Sequence, residues 1–134
     1  MSNQKQKRIQ ITDERGQSLT EFAIVLPVLA LILFAVIQFG IVFNNYVTLT
    51  DATRAGARKG AVGRHLTDPS GSTVAAVRAS AKDLKQSNLN VSVSSSWAPA
   101  SDVTVSATYP YKISLLGMVA KSGRLSSTTT ERVE

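Results

Sequence analysis

The chain has 134 residues, 43% of them hydrophobic, no cysteine and a net charge of +6. That length leaves room for one small domain beside any membrane segment. The lack of cysteine excludes disulfides, thiolate metal sites and thiol nucleophiles, and the dispersed positive charge, with no basic run interleaved with aromatics, suits anionic surfaces in general and not a dedicated nucleic-acid site.

Residues 1–15 are polar, mixed in charge and expected to be disordered. They carry Lys5, Lys7, Arg8 and Arg15. Residues 17–63 read as one long helix, with Ser18 or Thr20 able to cap its start. Within it, Phe22 to Phe43 is a run of 22 residues with no formal charge and one amide, Gln38. At about 1.5 Å per residue the run spans roughly 33 Å, enough to cross a bilayer core. Pro27 falls inside it and predicts a kink that a membrane helix tolerates.

Past Phe43 the pattern turns amphipathic, with Val42, Tyr46, Leu49, Ala52 or Thr53, and Gly56 recurring at helical spacing. The small residues from Ala55 to Gly63 either let a neighbouring helix approach closely or simply loosen a helix end. With Pro27 and Gly40, Gly56 and Gly60 are the candidate helix-packing positions.

The stretch from His65 to Gly71 reads as a breaker before the second part of the chain. Thr73 to Leu84 predicts a short helix with Val74, Val77, Ala81 and Leu84 on one face. Alternation over Leu89, Val91 and Val93, extended by Trp97, predicts a strand. A second runs over Val103, Val105, Ala107 and Tyr109, with Ala98 to Ser101 as the hairpin loop between them. A third runs from Arg124 to Val133, rich in Thr. Ile113, Leu115, Leu116 and Met118 are expected to lie over the sheet. The fold class is α+β: a long N-terminal helix, then a small head with one helix on an antiparallel sheet of about three strands.

Glu21 sits at the very edge of the apolar run. A carboxylate there either snorkels to the headgroups and caps the helix start, or waits for a positive partner inside an assembly. An enzyme is not expected. His65 beside Asp68 reads as a solvated turn, the serines have no base near them in sequence, and neither a phosphate loop nor metal-ligand spacing is present. Asp51, Asp83 and Asp102 are isolated. Trp97, Tyr109 and Tyr111 read as core of the head, with a surface contact as the alternative. No metal or cofactor is expected.

Arg15-Gly16-Gln17-Ser18-Leu19-Thr20-Glu21-Phe22-Ala23 resembles a type IV prepilin processing signal: a basic leader, a glycine, a glutamate five residues on, then an apolar helix. More narrowly the chain resembles the TadE-like pseudopilins and minor pilins of tight-adherence (Flp) pilus systems. Ala52-Thr53-Arg54-Ala55-Gly56-Ala57-Arg58 is similar to the stretch that follows the membrane helix in that family. The closing Thr130-Glu131-Arg132-Val133-Glu134 is similar to its last segment.

The resemblance implies cleavage between Gly16 and Gln17 by a prepilin peptidase, with Glu21 and Phe22 serving processing or subunit docking. A cut before Gln17 would place a new amine four residues from Glu21, so one subunit's amine could pair with another's carboxylate. Gln17 is polar where many type IV pilins begin with a methylated Phe, so N-methylation is not implied. The implied partners are the peptidase, other pilins or pseudopilins, the Tad inner-membrane assembly machinery and the lipid bilayer.

The resulting organisation is a cytoplasmic leader (1–16), a membrane-spanning and amphipathic helix (17–63) and an exported head (64–134). It is placed in the bacterial inner membrane with the N-terminus inside, with incorporation into a pilus as a further destination. The charge count does not favour that orientation: the leader nets +2 and Asn44 to Arg64 nets +3, and cleavage on the inner side is what selects it. A secretory signal peptide would need a shorter apolar core. The alternative is an unprocessed single-pass membrane protein with a small exported binding domain, which needs neither Gly16 nor Glu21.

Overall fold

The computed structural model describes residues 13–115 and 117–134, with side chains from Gly16 onward. The expected disorder of the leader therefore lies outside the described residues up to position 12, as does the expected placement of Leu116. The elements run α1 (Asp13–Ala61), α2 (Pro69–Ser80), a short 3-10 turn (Gln86–Asn88), β1 (Asn90–Ser95), β2 (Asp102–Leu115) and β3 (Met118–Arg132). The fold is α+β: a long apolar helix, one further helix and a three-stranded antiparallel sheet in the order β1-β2-β3. The chain divides into two units, one ending at Val36 and one running from Ile37 to Glu134.

α1 begins at Asp13, four residues before the expected start, and passes through Pro27 without interruption. Ser18 and Thr20 are therefore interior residues, not caps. The Thr20 hydroxyl bonds back to the Gly16 carbonyl at 2.9 Å, the usual outlet for a helical threonine. β-branched residues such as Ile24, Val25, Ile32 and Ile37 disfavour a helix in water. In hydrocarbon every backbone group must pair within its own segment, and the helix is the form that does so. From Phe22 to Phe43 the large apolar side chains are exposed, except the partly buried Val42. The helix is long and apolar enough to cross a membrane.

α1 ends where its last carbonyls find partners outside it. The Gly63 amide donates to the Gly60 carbonyl at 3.0 Å, and the Glu134 amide to the Ala61 carbonyl at 2.9 Å. Arg58 and Lys59 in the last turn complement the helix dipole. The face turned into the head carries Leu49, Ala52, Thr53, Gly56, Ala57, Gly60 and Ala61, all buried. Tyr46, expected on this face, is exposed; the stripe passes through the partly buried Asn45 instead.

The segment read as a breaker contains the start of α2. Asp68 is its N-cap, its Oδ1 accepting from the Gly71 amide at 2.8 Å, and Pro69 occupies the first turn. Proline is suited to that position because the amide it lacks would have no partner there. Thr73 and Val77 are the buried residues of α2, and Ala81 and Leu84 are buried just after it. Gln86 then closes the turn, its side-chain amide donating to the carbonyls of Ala81 at 2.8 Å and Leu84 at 3.2 Å.

In the sheet, Val91, Val93, Val103, Val105, Ala107, Tyr109 and Leu125 belong to or pack against the core. The opposite face is hydroxyl-rich: Ser92, Ser106 and Thr128 form one cross-strand row and Ser94, Thr104 and Thr130 the next. β1 ends at Ser95, so Trp97 is a loop residue with φ 56°, although it still packs against the core. The β2–β3 hairpin is longer than the alternation predicts. Ile113, Leu115 and Met118 do not lie over the sheet; they extend its strands to a turn at Gly117 (φ 82°). Pro110 hides this continuation in the sequence. It falls just past Thr108, the last β2 residue paired with β1, where β2 has one neighbour and tolerates proline.

Candidate processing and assembly segment

The residues singled out at the start of the apolar run occupy successive turns of α1. Gly16 lies inside the helix, and a Cβ built on it would meet nothing within 4 Å. Gln17 donates from Nε2 to Glu21 Oε1 at 3.1 Å. Glu21 is thus held on the helix surface, two turns in from Asp13, where the positive field of the helix start has largely decayed. Its reading as a cap for the helix start does not hold while α1 extends back to Asp13. Phe22 is exposed beside it.

The four packing candidates divide into two pairs. Pro27 and Gly40 belong to the exposed stretch. Pro27 leaves the Ala23 carbonyl without its helical donor, and a Cβ on Gly40 would meet nothing within 4 Å. Phe39 and Phe43 stack on the same stretch at 6.3 Å. Gly56 and Gly60, by contrast, are covered by this chain's own head. A Cβ on Gly56 would collide with Val77 Cγ2 of α2, and one on Gly60 would sit 2.9 Å from Val103 Cγ2 of β2 and 3.1 Å from Thr73 Oγ1. Their lack of a side chain lets α1, α2 and β2 approach.

Thr53 was visible only as a helix-face position. Its hydroxyl donates to the Thr50 carbonyl at 2.9 Å and lies 3.1 Å from both Ser127 Oγ and Thr129 Oγ1. A hydroxyl has one proton and two lone pairs. With the proton spent on Thr50, the two β3 hydroxyls donate to Thr53. This joins the Ala/Arg/Gly-rich stretch of α1 to the Thr-rich closing strand inside one molecule.

His65, Asp68, Asp51, Asp102 and Tyr109 have separate partners. His65 Nε2 accepts from Arg64 Nε at 2.9 Å, while Asp68 caps α2. Asp51 and Asp102 form exposed ion pairs with Arg54 and Arg132, each at 3.8 Å. Tyr109 receives the Lys85 amide on its hydroxyl at 3.3 Å and packs on the core, and the ring of Tyr111 lies over Gly123.

Residues 16–58 match the family described as TadE-like protein. The match begins at Gly16 and covers the apolar run and most of the stretch that packs into the head. No curated protein and no solved structure matches the chain.

Proposed function

We propose that this chain, TadE-like over residues 16–58, is a membrane-anchored, pilin-like subunit of a Tad pilus system, cut between Gly16 and Gln17 by a prepilin peptidase. The observation that carries this reading is the placement of Gly16 and Glu21 at the start of an apolar run whose large side chains, Val42 apart, are exposed among the described residues.

A protease takes its substrate extended, so the turn spanning Asp13 to Gln17 must unwind before the bond is cut. Glycine inside a helix costs about 1 kcal/mol relative to alanine, so Gly16 makes that unwinding cheaper and lets the backbone enter a narrow site. Hydrolysis converts the Gly16–Gln17 peptide into a carboxylate and an amine. The helix then starts at Gln17, and Glu21, formerly two turns inside, comes close to its positive end. Ser18 and Thr20 become first-turn residues in the same step.

In the assembled state the helices pack sideways through van der Waals contact. The new amine of one subunit pairs with Glu21 of another, because an unpaired carboxylate taken out of water is strongly unfavourable. The head, on the outer side, contributes the surface of a minor subunit or of an initiating complex. The uncut, single-pass alternative has one observation in its favour, the continuity of α1 across the cleavage position.

The test is the N-terminal mass of the membrane-extracted protein with and without a prepilin peptidase, for the parent chain and for Gly16→Ala. The expected result is a species beginning at Gln17 that requires both the peptidase and Gly16. Since a Cβ at position 16 meets open space, loss of cutting in the variant reports on the peptidase and not on folding. A chain that stays uncut in every case overturns the proposal in favour of the single-pass alternative.

A further inference from the structure

The β2–β3 hairpin projects beyond β1. β1 pairs with β2 only as far as Thr108, whereas β2 and β3 remain paired to Leu115 and Met118. In sequence the tip reads Leu115-Leu116-Gly117-Met118-Val119. Met118 is 72% exposed and Val119 61%. Large apolar residues open to water at a hairpin end are unusual, since such ends are ordinarily built from polar residues and glycine. Lys112 and Lys121 stand one or two rungs behind the tip, both exposed.

The direction of the hairpin follows from its packing on α1. Gly60 faces Val103 and Gly56 faces Val105, while Thr53 bonds to Ser127 and Thr129. Moving along β2 toward the tip is therefore moving back along α1 toward its apolar run. At about 3.3 Å per strand residue, Val103 to Leu115 covers roughly 40 Å. At about 1.5 Å per helix residue, Gly60 back to Gln38 covers roughly 33 Å. The partly shielded face of α1 continues in that direction through Asn45, Val42 and Gln38, while Phe39, Ile41 and Phe43 stay open. The tip thus reaches the level of the last turns of the apolar run, Ile37 to Phe43.

We infer that the β2–β3 hairpin is a second membrane contact: Leu115, Met118 and Val119 at its tip enter the outer interfacial layer of the bilayer beside α1, with Lys112 and Lys121 at the level of the lipid phosphates. The inference rests on the reading that α1 spans the membrane. The apolar tip is removed from water at the depth where the helix's own apolar surface is removed. The lysines sit about two rungs back, where their flexible stems reach anionic headgroups while the tip is buried. The contact fixes the height of the head above the bilayer, and drawing the subunit out of the membrane must break it.

The chain has no cysteine, so single reporters can be placed in the full-length protein. An environment-sensitive fluorophore is attached through Met118→Cys, through Leu33→Cys in the span and through Ser92→Cys on the hydroxyl face of the sheet. The protein is reconstituted into phosphatidylcholine–phosphatidylglycerol vesicles containing lipid with a nitroxide high on the acyl chain. The expected result is that the labels at 118 and 33 lose most of their emission and the label at 92 does not. Lys112→Glu combined with Lys121→Glu is expected to restore the emission at 118 in these vesicles.

Quenching at 33 with none at 118 overturns the hairpin contact and leaves the membrane anchor standing. No quenching at either position overturns both. A label at 118 that is shielded from a water-soluble quencher, unquenched by the nitroxide lipid and unshielded on dilution into excess lipid identifies a second copy of the chain as its occupant, and overturns the membrane contact.

Discussion

Two glycines four residues apart in the helix and a third sixteen residues earlier look alike in sequence and do opposite things. Gly56 is pressed against Val77 and Val105, and Gly60 against Val103 and Thr73, whereas Gly40 has open space. Replacing Gly56 by Leu forces α2 and β2 away from α1, and overpacking of that kind costs about 1–3 kcal/mol or more. The head of Gly56→Leu is therefore expected to melt at clearly lower denaturant than the parent chain, while Gly40→Leu leaves the midpoint unchanged. Equal midpoints for the two variants would show that Gly56 does not set the spacing. The sequence makes the small-residue stretch visible and leaves its partner open, because smallness reports that something approaches closely and not what approaches. The partner is α2 and β2 of the same chain.

At the scale of elements, the expected helices and strands are all present and the differences lie at their ends. α1 starts earlier because Asp13 to Gly16 contain nothing that stops a helix. α2 starts earlier because Asp68-Pro69 is a capped helix start, a pairing that is also common in turns. β2 and β3 run past Pro110 because the strand has lost a neighbour there. The cap is testable. Asp68→Ala removes the acceptor for the Gly71 amide and is expected to cost about 1 kcal/mol. It should be read as a lower thermal midpoint of the head, with partial recovery in Asp68→Asn, whose side-chain oxygen still accepts. A variant as stable as the parent would mean that Pro69 alone suffices to start the helix. The polar side chain most easily overlooked in sequence is Gln86. It ties off the carbonyls after α2 through contacts that no periodicity encodes.

At the scale of the molecule, the head is held together by small residues. Its buried core is mostly Ala and Val with Leu49, Leu84 and Leu89, and such a core releases little free energy per residue on burial. The last residues of the chain therefore matter more than their number suggests. Val133 is 1% exposed. Its amide donates to the Ser101 carbonyl at 2.7 Å, its carbonyl accepts from the Ala100 amide, and Glu134 caps α1 at Ala61. Deleting Val133 and Glu134 removes a buried side chain and three backbone bonds together. The truncated head is expected to show widespread loss of amide-exchange protection, extending to β2 and the end of α1. Protection lost only at the truncated end would show that the closing segment is peripheral.

The sequence by itself determines the long apolar helix, the spacing of Gly16 and Glu21 at its start, the α+β class and the Ser/Thr alternation of the strands. Each of these is a local pattern, a run length, a spacing or a period, and local patterns survive without knowledge of what lies across the fold. Tertiary structure alone decides which face of α1 meets the head, why Gly56 and Gly60 lack side chains, which hydroxyls Thr53 receives, and that Leu115 and Met118 pair at the end of a hairpin. These depend on pairings between residues distant in the chain, and an apolar residue looks the same in sequence whether it covers a sheet or leaves it.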